Sequence, residues 1–253
     1  MKCCQHIKDH TQFFAELPRQ SPGNPNCTRK ILGAVRSDLP VRPRILDLGA
    51  GTGEQTQTLL QALPQAQIHA IDKNERFLEG LKARLQRTQE EGKRLQVSCA
   101  DFTDLDLPAQ AYDLIWSEGA LYFVDLPQAL THFKQFLKPG GLVVFSSLTW
   151  LVDEPSREVA QYWQQHFPQM PTLTEQMNQL NTLGYDLLEV QVLPETIWWE
   201  SYYDPIQEAL KARAGETPLA HDDLERHLHA EIEMYAKYGA EYSYVYYALQ
   251  LMV

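Results

Sequence analysis

Three glycines at alternate positions, Gly49, Gly51 and Gly53, follow an apolar run (Ile45, Leu46, Leu48) that carries a single acid, Asp47. Side chains there would block both a tight turn and the approach of a ligand to bare main chain, so this spacing points to a ligand held against backbone. Residues 54–63 follow, with Leu59, Leu60, Ala62 and Leu63 at positions that can face a sheet from a helix. Strand, glycine turn and helix thus stand in the order that nucleotide-binding βαβ units require. A second apolar stretch, 66–71, ends in Asp72, and 72 − 47 = 25 positions separate the two acids. An acid about 20 residues beyond such a turn accepts hydrogen bonds from ribose hydroxyls, which is the role expected of Asp72.

The spacing also separates cofactors. A dinucleotide fingerprint, G-x-G-x-x-G/A, needs a small residue at position 54 to pack helix against strand around a pyrophosphate, and this chain has Glu54. A carboxylate at the mouth of the turn opposes a pyrophosphate but tolerates a sulfonium and an ammonium group. S-adenosylmethionine is therefore expected in preference to NAD, and an NAD-linked oxidoreductase is the weaker alternative.

Taken together, Asp47-Leu48-Gly49-Ala50-Gly51-Thr52-Gly53 resembles the first motif, D/E-x-G-x-G-x-G, of the class I S-adenosylmethionine-dependent methyltransferases. Three further stretches continue the resemblance over residues 43–147. Val97-Ser98-Cys99-Ala100-Asp101-Phe102 is similar to the family's third strand; this implies that Asp101 binds the adenine amino group and that Phe102 flanks the ring. Tyr112 to Leu121 resembles the fourth strand and the loop where the cofactor's methionine end meets the substrate, and Phe136-Leu137-Lys138-Pro139-Gly140-Gly141 resembles the turn into the fifth strand. Lys73 and Ser117 complete the expected cofactor set. Within the family, Glu16-Leu17-Pro18-Arg19-Gln20, Trp116-Ser117-Glu118-Gly119-Ala120 and a Trp/Tyr-rich C-terminal third resemble a bacterial small-molecule branch akin to the quinone C-methylating enzymes. That branch carries glycine where this chain has Ser21.

The implied fold is α/β: a doubly wound, mostly parallel seven-stranded sheet of Rossmann-like methyltransferase type, with an antiparallel last strand and an N-terminal helical lid. Residues 1–40 are expected to form that lid, with helices near 12–17 and 26–37 around a Pro/Gly-rich loop. Residues 41–253 are expected to form the methyltransferase domain, with a substrate-side insertion at about 195–241. Helices are expected at 157–167 and 174–183, the second ending on Gly184 as a C-cap, and strands at 185–193 and 242–252.

Methyl transfer asks for alignment above all, since the sulfonium is already an activated donor; orientation alone supplies up to roughly 7–11 kcal/mol in well-aligned systems. A hydroxyl, thiol or carbon acid as acceptor also needs a base. Glu118, directly after the fourth strand, is the first candidate, and it reads equally well as orienting the cofactor's ammonium or a loop. Tyr122 is the second catalytic candidate, and His166 a weaker one. For the substrate, Arg19 is read as a clamp for an acidic group or as the partner of a nearby acid, while Trp150, Trp199 and Tyr202 are read as an aromatic lining. The cluster 198–203 suits pocket lining and plain packing alike; Tyr244 to Tyr247 reads as sheet packing. Phe13, Phe14 and Tyr122 join the expected chamber, which suits a planar or weakly polar acceptor.

Composition bounds the rest. A chain of 253 residues with 44% hydrophobic content can bury one α/β core. The net charge of −11 opposes a phosphate-tracking surface. The basic stretch 82–94 also holds Glu90 and Glu91 and reads as a solvated helix face. Neither the N/D-P-P-Y/F signature of exocyclic-amine methylation nor a Pro-Cys nucleophile is present, so no nucleic-acid partner is expected. Cys3, Cys4, Cys27 and Cys99 form no C-x-x-C pair, Cys3 and Cys4 with His6 and His10 match no common zinc spacing, and His221, His227 and His229 read as surface residues; no metal is expected. No apolar h-region and no run of about 20 apolar residues occurs, so a cytoplasmic protein without a membrane span is expected. A homodimer is left open. A non-catalytic S-adenosylmethionine-binding regulator is the alternative from another functional class.

Overall fold

A computed structural model describes residues 11–85, 93–213 and 221–252. Seven strands form one sheet in the order β3-β2-β1-β4-β5-β7-β6. They are β1 (Arg44–Leu48), β2 (Gln67–Asp72), β3 (Leu95–Cys99), β4 (Tyr112–Ser117), β5 (Leu137–Trp150), β6 (Tyr185–Val192) and β7 (Tyr242–Leu251). β1 to β5 pair in parallel, and β7 runs antiparallel to both of its neighbours, β5 and β6. This is the expected doubly wound sheet. The chain reverses its winding at β1, whose neighbours are β2 and β4. In open α/β sheets the ligand crevice lies beyond the carboxyl ends of the strands at that switch point.

The central strands are apolar on both faces because both are covered. Ile45, Leu114 and Val144 enter one core cluster, whereas their neighbours Leu46, Ile115 and Val143 enter the other. This alternation is the period of a strand buried on both sides. The first cluster also collects Phe13 and Leu17 from the N-terminal region and Trp198, Tyr203 and Tyr235 from the segment between β6 and β7. The two ends of the chain therefore cover the same face of the sheet.

Helix α1 spans 11–16 and is followed by an irregular stretch to Asn24. Asn24 caps α2 (Pro25–Val35): its side chain accepts from Cys27 N at 2.9 Å, and Pro25 occupies the first turn, where a missing N–H costs nothing. Helices α3 (Glu54–Ala62) and α4 (Glu75–Leu85) follow β1 and β2, and α5 (Leu126–Phe133) follows β4. Helix α6 (Arg157–His166) leaves β5, and α7 (Leu173–Thr182) opens on a capping box between Thr172 and Glu175.

Residues 137–141 differ from expectation. They form the irregular start of β5 and not a turn before it: Tyr112 pairs with Leu137 and Leu114 with Leu142, a register shift in which Gly140 adopts φ +70°. The glycine absorbs the extra residues as a bulge.

Between β6 and β7 the backbone stays helical from Glu195 to Arg213, through a short α-turn (Glu195–Trp198), a π-turn (Trp199–Tyr203) and α8 (Asp204–Arg213). Helix α9 (His221–Tyr238) then leads into β7. Cys3, Cys4, His6 and His10, residues 86–92 of the basic stretch and residues 214–220 of the expected insertion lie outside the described residues. Among the described residues no group of three His, Cys, Asp or Glu is arranged to hold a metal ion.

Candidate active site

The glycine turn sits at the carboxyl end of β1 and lines a cavity of about 310 Å³. Gly49 has φ +70°, and a Cβ there would lie 2.3 Å from Ala120 Cβ; at Gly51 a Cβ would lie 2.5 Å from Gln20 Oε1. Both positions exclude any side chain, so main chain itself forms this wall. Gly53 stands outside the lining and backs onto Leu81.

Asp72 ends β2 at the cavity and receives two backbone amides, Gly51 N on Oδ2 at 2.9 Å and Asn74 N on Oδ1 at 2.8 Å. Burial raises its pKa, and the amides of Asn74 and Gly51 oppose the rise. A carboxylate has about four acceptor sites, so two amides orient Asp72 and leave capacity for a ligand's hydroxyls. Lys73 and Phe102 also line the cavity. Asp101 is outside the lining: it is exposed, with Oδ1 accepting from Thr103 N and Oγ1, which lower its pKa.

Asp47 lies beneath the turn, outside the lining, where Thr56 Oγ1 donates to it at 2.5 Å. Its Oδ1 is buried without a partner, and burial lifts the carboxyl to about 7. Ser117 is fully buried, and its hydroxyl donates to Leu48 O at 2.9 Å, tying β4 to β1. Both side chains support the turn from behind.

Glu118 lines the cavity, but its carboxylate is engaged on every side. Arg19 Nη2 (2.7 Å) and Tyr246 OH (2.9 Å) donate to Oε2, and Thr28 Oγ1 (2.8 Å) and Trp116 Nε1 (2.9 Å) donate to Oε1. Four donors use the acceptor capacity that a base would need for a substrate proton. Arg19 is 5% exposed and also pairs with Glu54 at 2.8 Å. Burial works against its charge, yet Glu118, Tyr246 and Glu54 outweigh it and raise its pKa. One guanidinium shared by two carboxylates leaves a single net negative charge at the mouth of the turn.

The same segment closes over the turn. Gln20 Oε1 accepts from Thr52 N at 3.0 Å, and Ser21 packs so tightly on Gly119 that a Cβ there would lie 2.2 Å from its hydroxyl oxygen.

A second cavity, about 210 Å³, adjoins the first through shared Gln20, Tyr122 and Tyr202. Tyr202 belongs to the π-turn, a distortion that re-aims side chains and is frequent at functional sites. Burial pushes the Tyr122 phenol up, so at neutral pH it is a hydrogen-bond donor and not a phenolate base. His166 lines this cavity. Trp150 and Trp199 line neither: Trp150 packs on Tyr242 at 5.9 Å, and Trp199 on Tyr203 at 5.4 Å. Phe14 reaches the first cavity, while Phe13 is buried beneath Arg213.

Strand β7 divides its tyrosines by parity. Tyr247 stacks on Phe145 in the expected packing role, whereas Tyr244 lines the second cavity and Tyr246 reaches Glu118. Sequence reading also passed over Glu231, which lines the second cavity. A signal existed: on α9, position 231 falls in the 4-3-4 spacing of the buried residues Leu224, Leu228 and Tyr235. An acid on an apolar stripe is the informative kind of exception.

This sheet order, with a glycine turn at the switch point and an acid closing β2, is a Rossmann-like fold of the kind found in solved methyltransferase structures. Residues 45–141 match the family model described as a methyltransferase domain. Over 105 residues the chain is 36% identical to malonyl-[acyl-carrier protein] O-methyltransferase of Halorhodospira halophila, which covers 41% of this chain and 34% of that protein. Over 108 residues it is 34% identical to trans-aconitate 2-methyltransferase of Deinococcus radiodurans, covering 42% and 38%. The chain thus spans little more than a third of the length of these curated relatives. In solved structures the whole fold recurs: a methyltransferase from Geobacter sulfurreducens with S-adenosylhomocysteine has TM-score 0.78 at 21% identity, covering 95% of this chain and 97% of that one. One from Thiobacillus denitrificans has TM-score 0.76 at 22% identity, covering 94% and 95%.

Proposed function

We propose that the protein is an S-adenosylmethionine-dependent methyltransferase acting on a small-molecule acceptor. The observation that carries this reading is the position of Asp72, oriented by two main-chain amides at the rim of a glycine wall that no side chain could replace. The residues present suit the cofactor: Asp72 for the ribose hydroxyls, Phe102 against the adenine, and the main chain at Gly49 and Gly51 along the nucleoside. The net negative charge of the Arg19–Glu54–Glu118 group favours the ammonium and sulfonium end. When bound, S-adenosylmethionine supplies an activated methyl group.

In this reading the chain's own task is orientation and exclusion of water. Residues 18–23 act as a lid, locked by Arg19 onto Glu54 and Glu118 and by Gln20 onto Thr52, while residues 41–253 act as the catalytic body. Glu118 is a positioning residue: it holds Arg19 and Tyr246, and through them the lid and β7. Tyr122 and Tyr202 stand where the acceptor would meet the methyl group. The acidic surface supports a partner that is not a nucleic acid. Among the described residues no helix is long and apolar enough to cross a membrane; a cytoplasmic location belongs to this proposal, with the assembly state open between monomer and homodimer.

Titration calorimetry with S-adenosylhomocysteine tests the cofactor, and saturable binding is expected. Absence of binding at millimolar concentration would remove the reading. Transfer of label from methyl-labelled cofactor into small molecules of a cell extract, dependent on the protein, separates an enzyme from a non-catalytic binder.

A further inference from the structure

The second cavity has walls of one chemical kind. Tyr122, Tyr162, Phe167, Trp198, Tyr202 and Tyr244 supply aromatic surface, and no lysine or arginine lines it. Its one carboxylate is Glu231, whose Oε1 accepts from Tyr203 OH at 3.2 Å. Among the described residues, no lysine or arginine lies within ion-pair distance of that carboxylate. Glu231 is partly exposed and lines the cavity. The two imidazoles nearby, His166 and His227, lie with ring centres 4.9 Å apart, and His166 stacks on Tyr162 at 4.2 Å.

A carboxylate enclosed by rings, in a cavity that holds imidazoles but no lysine or arginine, is costly unless a ligand completes it. Burial accordingly lifts Glu231 to about 7, against the weaker opposing effect of Tyr203. An acid perturbed by burial in a cavity is a candidate functional site. The ligand that lowers the cost is a cation, since aromatic faces attract positive charge and the carboxylate pairs with it. An anionic ligand would meet the same carboxylate without any compensating arginine or lysine.

We infer that the second cavity is the acceptor pocket and that it takes a small amine in its cationic form, charge beside Glu231 and body among the tyrosine rings. The other end of that molecule then extends between Tyr122 and Tyr202 into the first cavity. This rests on the methyltransferase reading above and deepens it by naming the acceptor's charge class. It also sets this chain apart from its relatives named for malonyl and aconitate acceptors, which it matches over 105 and 108 residues.

Quenching of tryptophan fluorescence tests the inference, because Trp163 and Trp198 line the cavity. Three isosteric probes are titrated into the full chain saturated with S-adenosylhomocysteine: tyramine, its neutral alcohol tyrosol, and its carboxylate 4-hydroxyphenylacetate. At about pH 8, where ordinary imidazoles are neutral, tyramine is expected to bind at least about tenfold more tightly than tyrosol, with the carboxylate weakest. In Glu231→Gln the preference for tyramine over tyrosol is expected to vanish while S-adenosylhomocysteine affinity stays unchanged. Equal affinity for all three probes, binding of none, preference for the carboxylate, or a preference that survives Glu231→Gln would each overturn it. Loss of S-adenosylhomocysteine binding in the wild type would instead overturn the methyltransferase reading, so the two failures are distinguishable.

Discussion

The two cavities meet at Gln20, Tyr122 and Tyr202 but are built by opposite means. The first has one wall of main chain: the turn at Gly49 and Gly51, amides that orient Asp72, and a lid residue hydrogen-bonded to Thr52 N. The second is walled by side chains brought from β5, α6, the π-turn, α9 and β7. A backbone wall serves one ligand well and changes little, because nearly any substitution adds atoms where none fit. A side-chain wall can be rebuilt residue by residue, so acceptor choice can vary while cofactor geometry stays fixed.

Arg19 ties the lid to the wall of the first cavity through Glu54 and Glu118, and its loss should give the largest effect. Arg19→Met leaves Glu118 buried with its charge unpaired, which costs about 3–5 kcal/mol when the surroundings cannot relax. A fall in thermal midpoint is expected, with most of it recovered in the double variant Arg19→Met/Glu118→Gln. No recovery would mean that the arginine acts through packing alone and that charge does not hold the lid on the first cavity.

Asp72→Ala should strike the backbone-walled cavity alone. Loss of hydrogen bonds to a carboxylate costs about 2–3 kcal/mol, or roughly thirtyfold or more in S-adenosylhomocysteine affinity by calorimetry. Tyramine binding should be far less affected. Equal loss of both would show that the cavities do not act as separate sites.

The smallest effect is on pH dependence. Asp47 is raised to about 7 by burial, countered in part by Thr56, so the folded state binds its proton more tightly than the unfolded chain does. That contribution is complete below the ordinary carboxylate range and is lost as pH rises through about 7. Glu231 acts in the same direction over the same window. Melting midpoints between about pH 5 and pH 7.5 should therefore fall more in the wild type than in Asp47→Asn. Parallel curves would mean that Asp47 is not protonated under the turn.

The same contrast explains what was legible in the sequence. The sheet, its antiparallel last strand, the glycine turn and Asp72 could be read because each depends on local pattern: strand period, turn chemistry and the distance between two strand ends. Glu118 was legible as a site residue but not as a saturated one, since its donors come from positions 19, 28, 116 and 246. Ser117 and Asp47 have the expected neighbours in sequence yet point behind the turn, a matter of side-chain direction that spacing does not specify. Trp150 and Trp199 illustrate the complementary case: aromatic clustering does not say which ring faces the void. The role of Tyr202 depends on a π-turn, which has no composition of its own.

That π-turn carries one more residue than an ordinary helix would over the same length. Deleting a single residue within Trp199–Tyr203 would restore regular α-helical winding and change the direction in which Tyr202 leaves the backbone. A one-codon deletion would thereby reshape the passage between the chambers while leaving the glycine turn untouched, a short route to a different acceptor.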